Sequence, residues 1–288
     1  MTNRYATPRT RSELAPKSVM RIASLAAVAA TACSPFGLEP TPSDAGSPSG
    51  VEAGADRGAD AGADAGEATL GDAGLPAFEV VQNIRSDKNL GRALDARFPK
   101  PLTDGNFIAV FAYSLGDYAL AIADSDGNTY SALASARDPQ AGSGRWFSCE
   151  HAKTTGKPNT IHLTVDASAD FTGLVALELT FPPDAKAASS LLEGNVANIG
   201  RGASAVTSGE ITTQSRQSLL LAAAWCSQTD SVPFSPGEGF TELARDDFFF
   251  YLIEYRLVTP GRYRASATFP AGLTWGVSAA SFRRFPGP

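Results

Sequence analysis

Cys149, His151 and Cys226 are the most reactive side chains past position 33, and their spacing decides between three chemistries. A thiolate nucleophile needs a base within hydrogen-bond reach and a third group to orient that base. Cys149 and His151 are two apart and would share one face of a strand, but no acid stands where it would orient the imidazole. Zinc needs three or four clustered ligands, and the only histidines are His151 and His162, so no metal is assigned to this set. The third chemistry is oxidation. In an oxidising compartment Cys149 and Cys226, each at the end of an apolar run, are expected to form a disulfide. That bridge would close a loop of about 77 residues and stabilise by roughly 4–5 kcal/mol on the chain-entropy argument.

Oxygen chemistry has two candidates. In Asp124-Ser-Asp-Gly-Asn128 the side chains of Asp124, Asp126 and Asn128 alternate as calcium ligands do, but the distant bidentate glutamate of a calcium loop is missing at the expected spacing. The same residues make a type I′ hairpin turn through Asp126-Gly127, which is the favoured reading, so calcium stays the one weak cofactor candidate. Glycoside hydrolysis needs two carboxylates across a cleft, and Glu150, Glu178, Glu210 and Glu254 are available. A hairpin of residues 160–166 and 172–178 would bring Glu178 near His162, a pairing read as solvated surface. No Gly-x-Ser-x-Gly elbow or phosphate loop occurs in a strand-turn-helix setting, and no catalytic residue is assigned. Aromatic faces can stack on sugars. Among Trp146, Trp225, Trp275 and Tyr118, the ligand-binding candidates are Trp146, Trp275 and Tyr118; Trp275 is out of phase with Phe282 and is the best placed to be exposed.

These residues need a scaffold, and from Phe78 onward the apolar period is two. Ile161, Leu163 and Val165 alternate with polar neighbours, as do Val175, Leu177, Leu179 and Phe181, and Tyr263, Ala265, Ala267 and Phe269. Runs 107–113, 218–226 and 248–255 are apolar on both sides and read as central strands covered by a loop on the second face, with a helix as the other option for 218–226. With 118–124, 129–134, 145–151 and 273–282, about ten short strands are expected at hairpin spacing. That pattern predicts an all-β, antiparallel β-sandwich, jelly-roll or immunoglobulin-like, with one short helical connector at 184–193. An apolar strand followed by a Gly-Asn-Thr or Gly-Phe-Thr strand occurs in both halves, an echo read as pseudo-symmetry of the sandwich.

The net charge of −6 is unevenly spread. Residues 1–33 carry five bases against Glu13 alone, and 34–76 carry eight acids against Arg57 alone. The folded part has no basic cluster to displace counterions from phosphates, which excludes nucleic acid as a partner. The apolar stretch 22–32 is too short to span a bilayer and, behind its basic flank, reads as a secretory signal. Residues 34–76 are Ala, Gly, Asp, Pro and Ser, including Gly58-Ala-Asp-Ala-Gly-Ala-Asp-Ala-Gly66, and bury too little to order, so a disordered tether with an end-to-end distance of roughly 35–40 Å is expected.

The signal ends Leu25-Ala-Ala-Val-Ala-Ala-Thr-Ala-Cys33, which resembles the lipobox of bacterial lipoproteins. The resemblance implies that Cys33 is the lipid attachment site and becomes the mature N-terminus. The sequence departs from the pattern in having Ala30 in place of leucine, which leaves ordinary signal cleavage open. A second resemblance rests on Asp104-Gly-Asn-Phe-Ile-Ala-Val-Phe-Ala-Tyr113, Ala123-Asp-Ser-Asp-Gly-Asn-Thr-Tyr130, Ser218–Ala224, Gly237-Glu-Gly-Phe-Thr241 and Tyr255–Tyr263. These stretches look like the β-sandwich modules of secreted bacterial surface proteins that recur beside fibronectin-like repeats. That implies fold and location and transfers no catalytic residue. The expected organisation is a signal over 1–33, a tether over 34–76 and one β-sandwich over 77–288. The expected function is a non-catalytic, lipid-anchored surface module, in the envelope or at the surface, that binds a glycan or a protein or is structural there, with the membrane reached through the anchor alone. The alternative is an extracellular polysaccharide-active hydrolase or lyase on a jelly-roll.

Overall fold

The computed structural model describes residues 79–181, 190–226, 234–246, 251–269 and 272–285. The expected signal, the tether and Cys33 lie outside the described residues, as do 184–189 of the expected helical connector. Leu192 and Glu193, its last two residues, are in a strand. The first half holds β1 Val80–Pro101, β2 Phe107–Ser114, β3 Leu120–Asp124, β4 Ser131–Asp138, β5 Gly142–Cys149 and β6 Pro158–Leu179. The second holds β7 Leu192–Arg201, β8 Ala205–Thr207, β9 Ile211–Thr213, β10 Gln217–Cys226, β11 Ser235–Pro236, β12 Thr241–Asp246, β13 Tyr251–Val258, β14 Gly261–Tyr263, β15 Ser266–Thr268 and β16 Thr274–Phe285. No helix occurs among the described residues, and the strands pair antiparallel, so the fold is the all-β sandwich that the two-residue rhythm predicts.

The two large sheets have one strand order. The first runs β1-β6-β2-β5-β4 and the second β7-β16-β10-β13-β12. The correspondence extends to the small strands: β3 pairs with the first part of β6, and β11 pairs with β15, which precedes β16 as that part of β6 precedes its end. Even the irregularities match, because β4 and β12 each slip register against their neighbour, between Ala132 and Ser135 and between Glu242 and Ala244. The echo in the sequence falls on these equivalent strands, with Gly127-Asn-Thr leading into β4 and Gly239-Phe-Thr into β12. At the sheet edges β4 lies beside β7, where Ala134 N–H donates to Asn195 Oδ1 at 2.6 Å, and β1 lies beside β12, where Arg85 donates to the Arg245 carbonyl at 3.4 Å. The echo in the sequence thus corresponds to a strand order that the two antiparallel sheets share.

The main core lies between the two large sheets. Phe107, Phe111, Tyr113 and Trp146 of the first sheet pack against Leu219, Leu221, Trp225, Tyr251 and Phe282 of the second, with Phe111 and Trp225 centroids 5.6 Å apart and Phe107 and Phe282 4.7 Å apart. The central strands β2 and β10 are buried on both faces, and for that reason show no alternation. Their second faces are covered by further strands, where the sequence predicted a loop. Ile108, Val110 and Ala112 lie under Leu94, Phe98, Leu120 and Ile161, and Ala224 and Val277 lie under Val206, Phe234 and Ala267. Four strand layers result.

Segments 160–166 and 172–178, expected as a hairpin, are one strand, β6, that passes from an outer layer into the first large sheet. Residues 262–269, expected as one strand, are β14 and β15, which pair with β9 and with β8 and β11. Segment 218–226 is a strand and not a helix.

Trp225 is the wedge between the sheets. A Cβ on Gly144 would lie 2.5 Å from its ring, and one on Gly276 2.3 Å. Only glycine leaves the indole room on both sides, and Gly144→Ala is expected to cost about 1–3 kcal/mol through overpacking, read as a lower urea midpoint.

In each half a glutamate ties down the loop that enters the central strand. Glu178 of β6 accepts from Gln82 Nε2 at 2.6 Å, Asn106 Nδ2 at 2.7 Å and Thr103 N–H at 2.7 Å. Glu193 of β7 accepts from Ser215 N–H at 2.9 Å, Ser215 Oγ at 2.6 Å and the Ser218 hydroxyl. Burial pushes the Glu193 carboxyl up, but these donors outweigh it and hold the group below the usual carboxylate range.

Candidate functional site

The structure separates most of the residues that the sequence brings together. Cys149 and Cys226 are not joined to each other: Cys149 faces the outer core of the first half and Cys226 that of the second. Two sheets stand between them, and sheets pack ~10 Å apart, whereas a disulfide needs Cα atoms within about 7 Å. The expected bridge is corrected on that ground. Burial pushes the Cys149 thiol up, which keeps it protonated and unsuited to nucleophilic attack.

Trp146 is 1 % exposed and Trp275 6 %, so the stacking platform is also corrected. Trp146 lies in the main core and donates to the Ser278 carbonyl at 3.2 Å. Trp275 does face away from Phe282, as its phase requires, but β8, β11 and β15 cover that face.

Asp124, Asp126 and Asn128 form the inside of a turn. Asp124 accepts from the N–H groups of Asp126 at 3.1 Å and Asn128 at 2.9 Å, from Asn128 Nδ2 at 2.7 Å and from the Tyr130 hydroxyl at 2.8 Å. Burial raises the Asp124 carboxyl, but these bonds outweigh it and hold the group below its ordinary value. Asn128 Oδ1 accepts from Lys153 N–H at 2.6 Å and Asp126 Oδ1 from the Thr155 hydroxyl at 2.6 Å, whereas Asp126 Oδ2 is buried without a hydrogen-bond partner. The turn differs from type I′: Gly127 has φ 73° but Asp126 is not left-handed. The strands it joins also pair with different partners, β3 with β6 and β4 with β5, so the expected hairpin is absent.

The carboxylates do not pair across a cleft. Glu178 is wholly buried among its three donors, Glu150 accepts from Leu191 N–H at 2.9 Å and Ser190 Oγ at 3.1 Å, and Glu210 lies beside the exposed Arg262 and Arg264. His162 meets Asp95 at 2.8 Å on the surface, far from Glu178 in the register of β1 and β6.

Tyr118 alone among the aromatic candidates stays half-exposed, and it marks a recess the sequence did not point to. Tyr118, Leu120, Ser135, Arg137, Ser143 and Arg145 enclose about 40 Å³ on the outer side of β4 and β5. Register places Ser135 opposite Arg145 and Arg137 opposite Ser143, so alternation puts all four on one face. Ser143 fixes the loop above them, accepting from Tyr118 N–H at 2.9 Å and donating to the Gly116 carbonyl at 2.7 Å. Gly116 has φ 102° and its missing Cβ would lie 2.5 Å from the Tyr118 ring, so only glycine lets the ring fold back over the recess. Arg137 donates from Nε to Asp117 at 2.7 Å. Arg145 Nε is buried with no hydrogen-bond partner, and its guanidinium carbon lies 5.9 Å from the Phe147 centroid. Arg137 is thus paired with Asp117, and Asp166 accepts from Ala119 N–H at 3.0 Å at the rim of the recess.

The shared strand order lets the two sheets be compared strand by strand. When the inward residues of β2 and β10 are matched, Tyr113 with Trp225, register puts Arg145 in the place of Leu252 and Phe147 in the place of Glu254. Leu252 is fully buried in the second half. In that match the second sheet has an apolar side chain where the first has a cation. The available signal was small: Arg145 interrupts the otherwise uncharged run Gly142–Cys149. Comparison of the chain with protein-family models and with curated proteins finds no match, so the reading of this recess rests on its own geometry.

Proposed function

We propose that this chain is a non-catalytic surface module, exported and lipid-anchored through Cys33, whose first half binds an anionic group carried by an extracellular glycan. The composition of residues 1–76 supports export and tethering, and retention of palmitate label by a Cys33→Ser variant would contradict the anchor. The observation that carries the binding reading is Arg145: a guanidinium with a buried Nε that lacks an acceptor, at a position where the second half keeps leucine. A buried donor without an acceptor carries a desolvation cost that a carboxylate or sulfate would remove, and the recess has room for a group of that size. Tyr118 and the Ser135 hydroxyl flank it.

The test is calorimetric titration of the full chain with oligogalacturonate at low salt. Binding is expected to weaken as salt rises, and Arg145→Ala is expected to lose it by tenfold or more, in line with ~1.5–3 kcal/mol for a charge-assisted hydrogen bond, with Tm within a few degrees of the parent. Equal affinity in the parent and in Arg145→Ala would sink the reading.

A further inference from the structure

We infer that residues 235–240 are a strap that closes over Glu254 while its carboxyl holds a proton and is released when that proton is lost, a pH-sensitive latch in the second half. The strap joins two sheet edges. It begins as β11, two residues long and paired with β15 alone, and runs into β12 at the edge of the second large sheet. A phenylalanine anchors each end: Phe234 packs with Val206, Leu252 and Ala267, and Phe240 lies against Leu220, Val258 and Ala265. Between the anchors Phe240 N–H donates to the Gly237 carbonyl at 3.0 Å, and Glu238 and Gly239 are exposed on the turn so formed. The turn is pressed down on β15, because a Cβ on Gly237 would lie 2.2 Å from the Ser266 carbonyl oxygen.

Glu254 lies beneath the strap at the seam of the two clusters. Alternation along β13 puts it on the same face as Leu252, Arg256 and Val258, and Ala222 of β10 and Glu242 of β12 stand opposite it. The strap reaches it through Gly237 N–H, which donates to Oε2 at 3.0 Å. Several charged or titratable groups surround it. Arg256 comes from its own strand, Glu242 from β12 beside its partner Arg245, Glu238 from the strap, Tyr263 from β14, and Arg264 from the segment before β15, where it faces Glu210. None of these cations pairs with Glu254: Arg256 donates to the Glu238 carbonyl at 3.3 Å and lies over the Tyr263 ring. Both histidines are in the first half, so no imidazole titrates here.

A buried carboxylate with one N–H donor and no cation favours any rearrangement that admits water, whereas the neutral acid does not. The strap is the cover that yields most readily. Its ladder is two residues long, and Pro236 has no N–H to contribute. Burial pushes the Glu254 carboxyl up to about 7 in the closed form, and water returns it toward the ordinary glutamate value once the strap lifts. Closure is therefore complete below that ordinary value and weakens as pH rises to about 7.

Amide hydrogen exchange of the full chain, from about pH 5 to about pH 8 and corrected for the intrinsic rate, tests the latch. Protection of the Gly237 and Phe240 amides is expected to fall by about tenfold per pH unit up to about pH 7 and to level off above it. At every pH it is expected to stay at least about tenfold below that of Leu221 and Ala223 in the central strand β10, because the strap opens without the sheets. In Glu254→Gln the strap amides are expected to keep one level of protection across the interval. Protection in the parent that does not change with pH, or a fall that persists in Glu254→Gln, overturns the latch. So does protection of Gly237 equal to that of Leu221 throughout, since opening would then require the whole fold.

Discussion

Glu178→Ala is expected to destabilise the fold by about 3–5 kcal/mol, the largest effect of any single substitution considered, because it removes the acceptor from three buried donors at once. Gln82 Nε2, Asn106 Nδ2 and Thr103 N–H all end on this carboxylate, which is 0 % exposed. Gln82 retains longer contacts to the carbonyls of Lys100 and Pro101, at 3.3 and 3.4 Å, but Asn106 and Thr103 have no replacement of comparable quality. The loop 102–106 enters β2, the central strand of the first sheet, so its release loosens the half that carries the arginine recess. Urea unfolding followed by circular dichroism measures the loss as a fall in midpoint at constant slope. A loss below about 1 kcal/mol would show that the three donors find other acceptors.

Glu254→Gln is expected to act in the opposite direction, with an advantage that grows from about pH 4.5 and is complete above about pH 7. Glu254 is 2 % exposed, and its one described hydrogen bond is from Gly237 N–H at 3.0 Å. Burial pushes its carboxyl up to about 7, against a partial offset from that N–H. In the unfolded chain the group titrates near the ordinary glutamate value, about 4.3. Below that value both states hold the proton and the fold bears no penalty. As pH rises the unfolded chain gives up its proton first, so stability falls through the interval up to about pH 7 and then levels off, with up to roughly 3 kcal/mol lost. Glutamine keeps an acceptor for Gly237 and has no charge to bury. The variant should match the parent at pH 4.5 and exceed it by about 2–3 kcal/mol at pH 8, seen as urea midpoints that diverge with pH. Midpoints that shift equally at both pH values would mean that the carboxyl does not titrate in this interval.

The sheets were legible because alternation is a local property. Residues 107–113 and 218–226 fall inside β2 and β10, all but the first residue of 273–282 inside β16, and segments 160–166 and 175–179 inside β6. What escaped was long range. The sequence shows Ile161 and Val175 as two rhythms, but only the pairing of β1 along the whole of β6 makes them one strand crossing two layers. β1 itself went unassigned because its inward residues Leu94, Ala96 and Phe98 are few and its remaining positions are largely exposed. The disulfide failed for the same reason: parity tells which face a cysteine takes within its own strand, not which of four layers that face meets. Trp275 was correctly out of phase with Phe282, yet the strands that bury it, β8, β11 and β15, are two or three residues long and carry too little pattern to be seen. The arginine recess was invisible because Arg137 and Arg145 come together only through the β4–β5 register, and Tyr118 reaches them over a loop pinned by Ser143.

The central claim, that this sandwich holds an anion-binding recess in its first half alone, is tested most directly by nuclear magnetic resonance of the ¹⁵N-labelled full chain titrated with galacturonate tetramer. The account predicts saturable shifts at the amides of Tyr118, Ser135 and Ser143 and at the Arg145 Nε–H, with the second half silent at Leu252 and its neighbours. Saturation that leaves the Arg145 Nε–H unmoved, or shifts confined to residues 190–285, would contradict it.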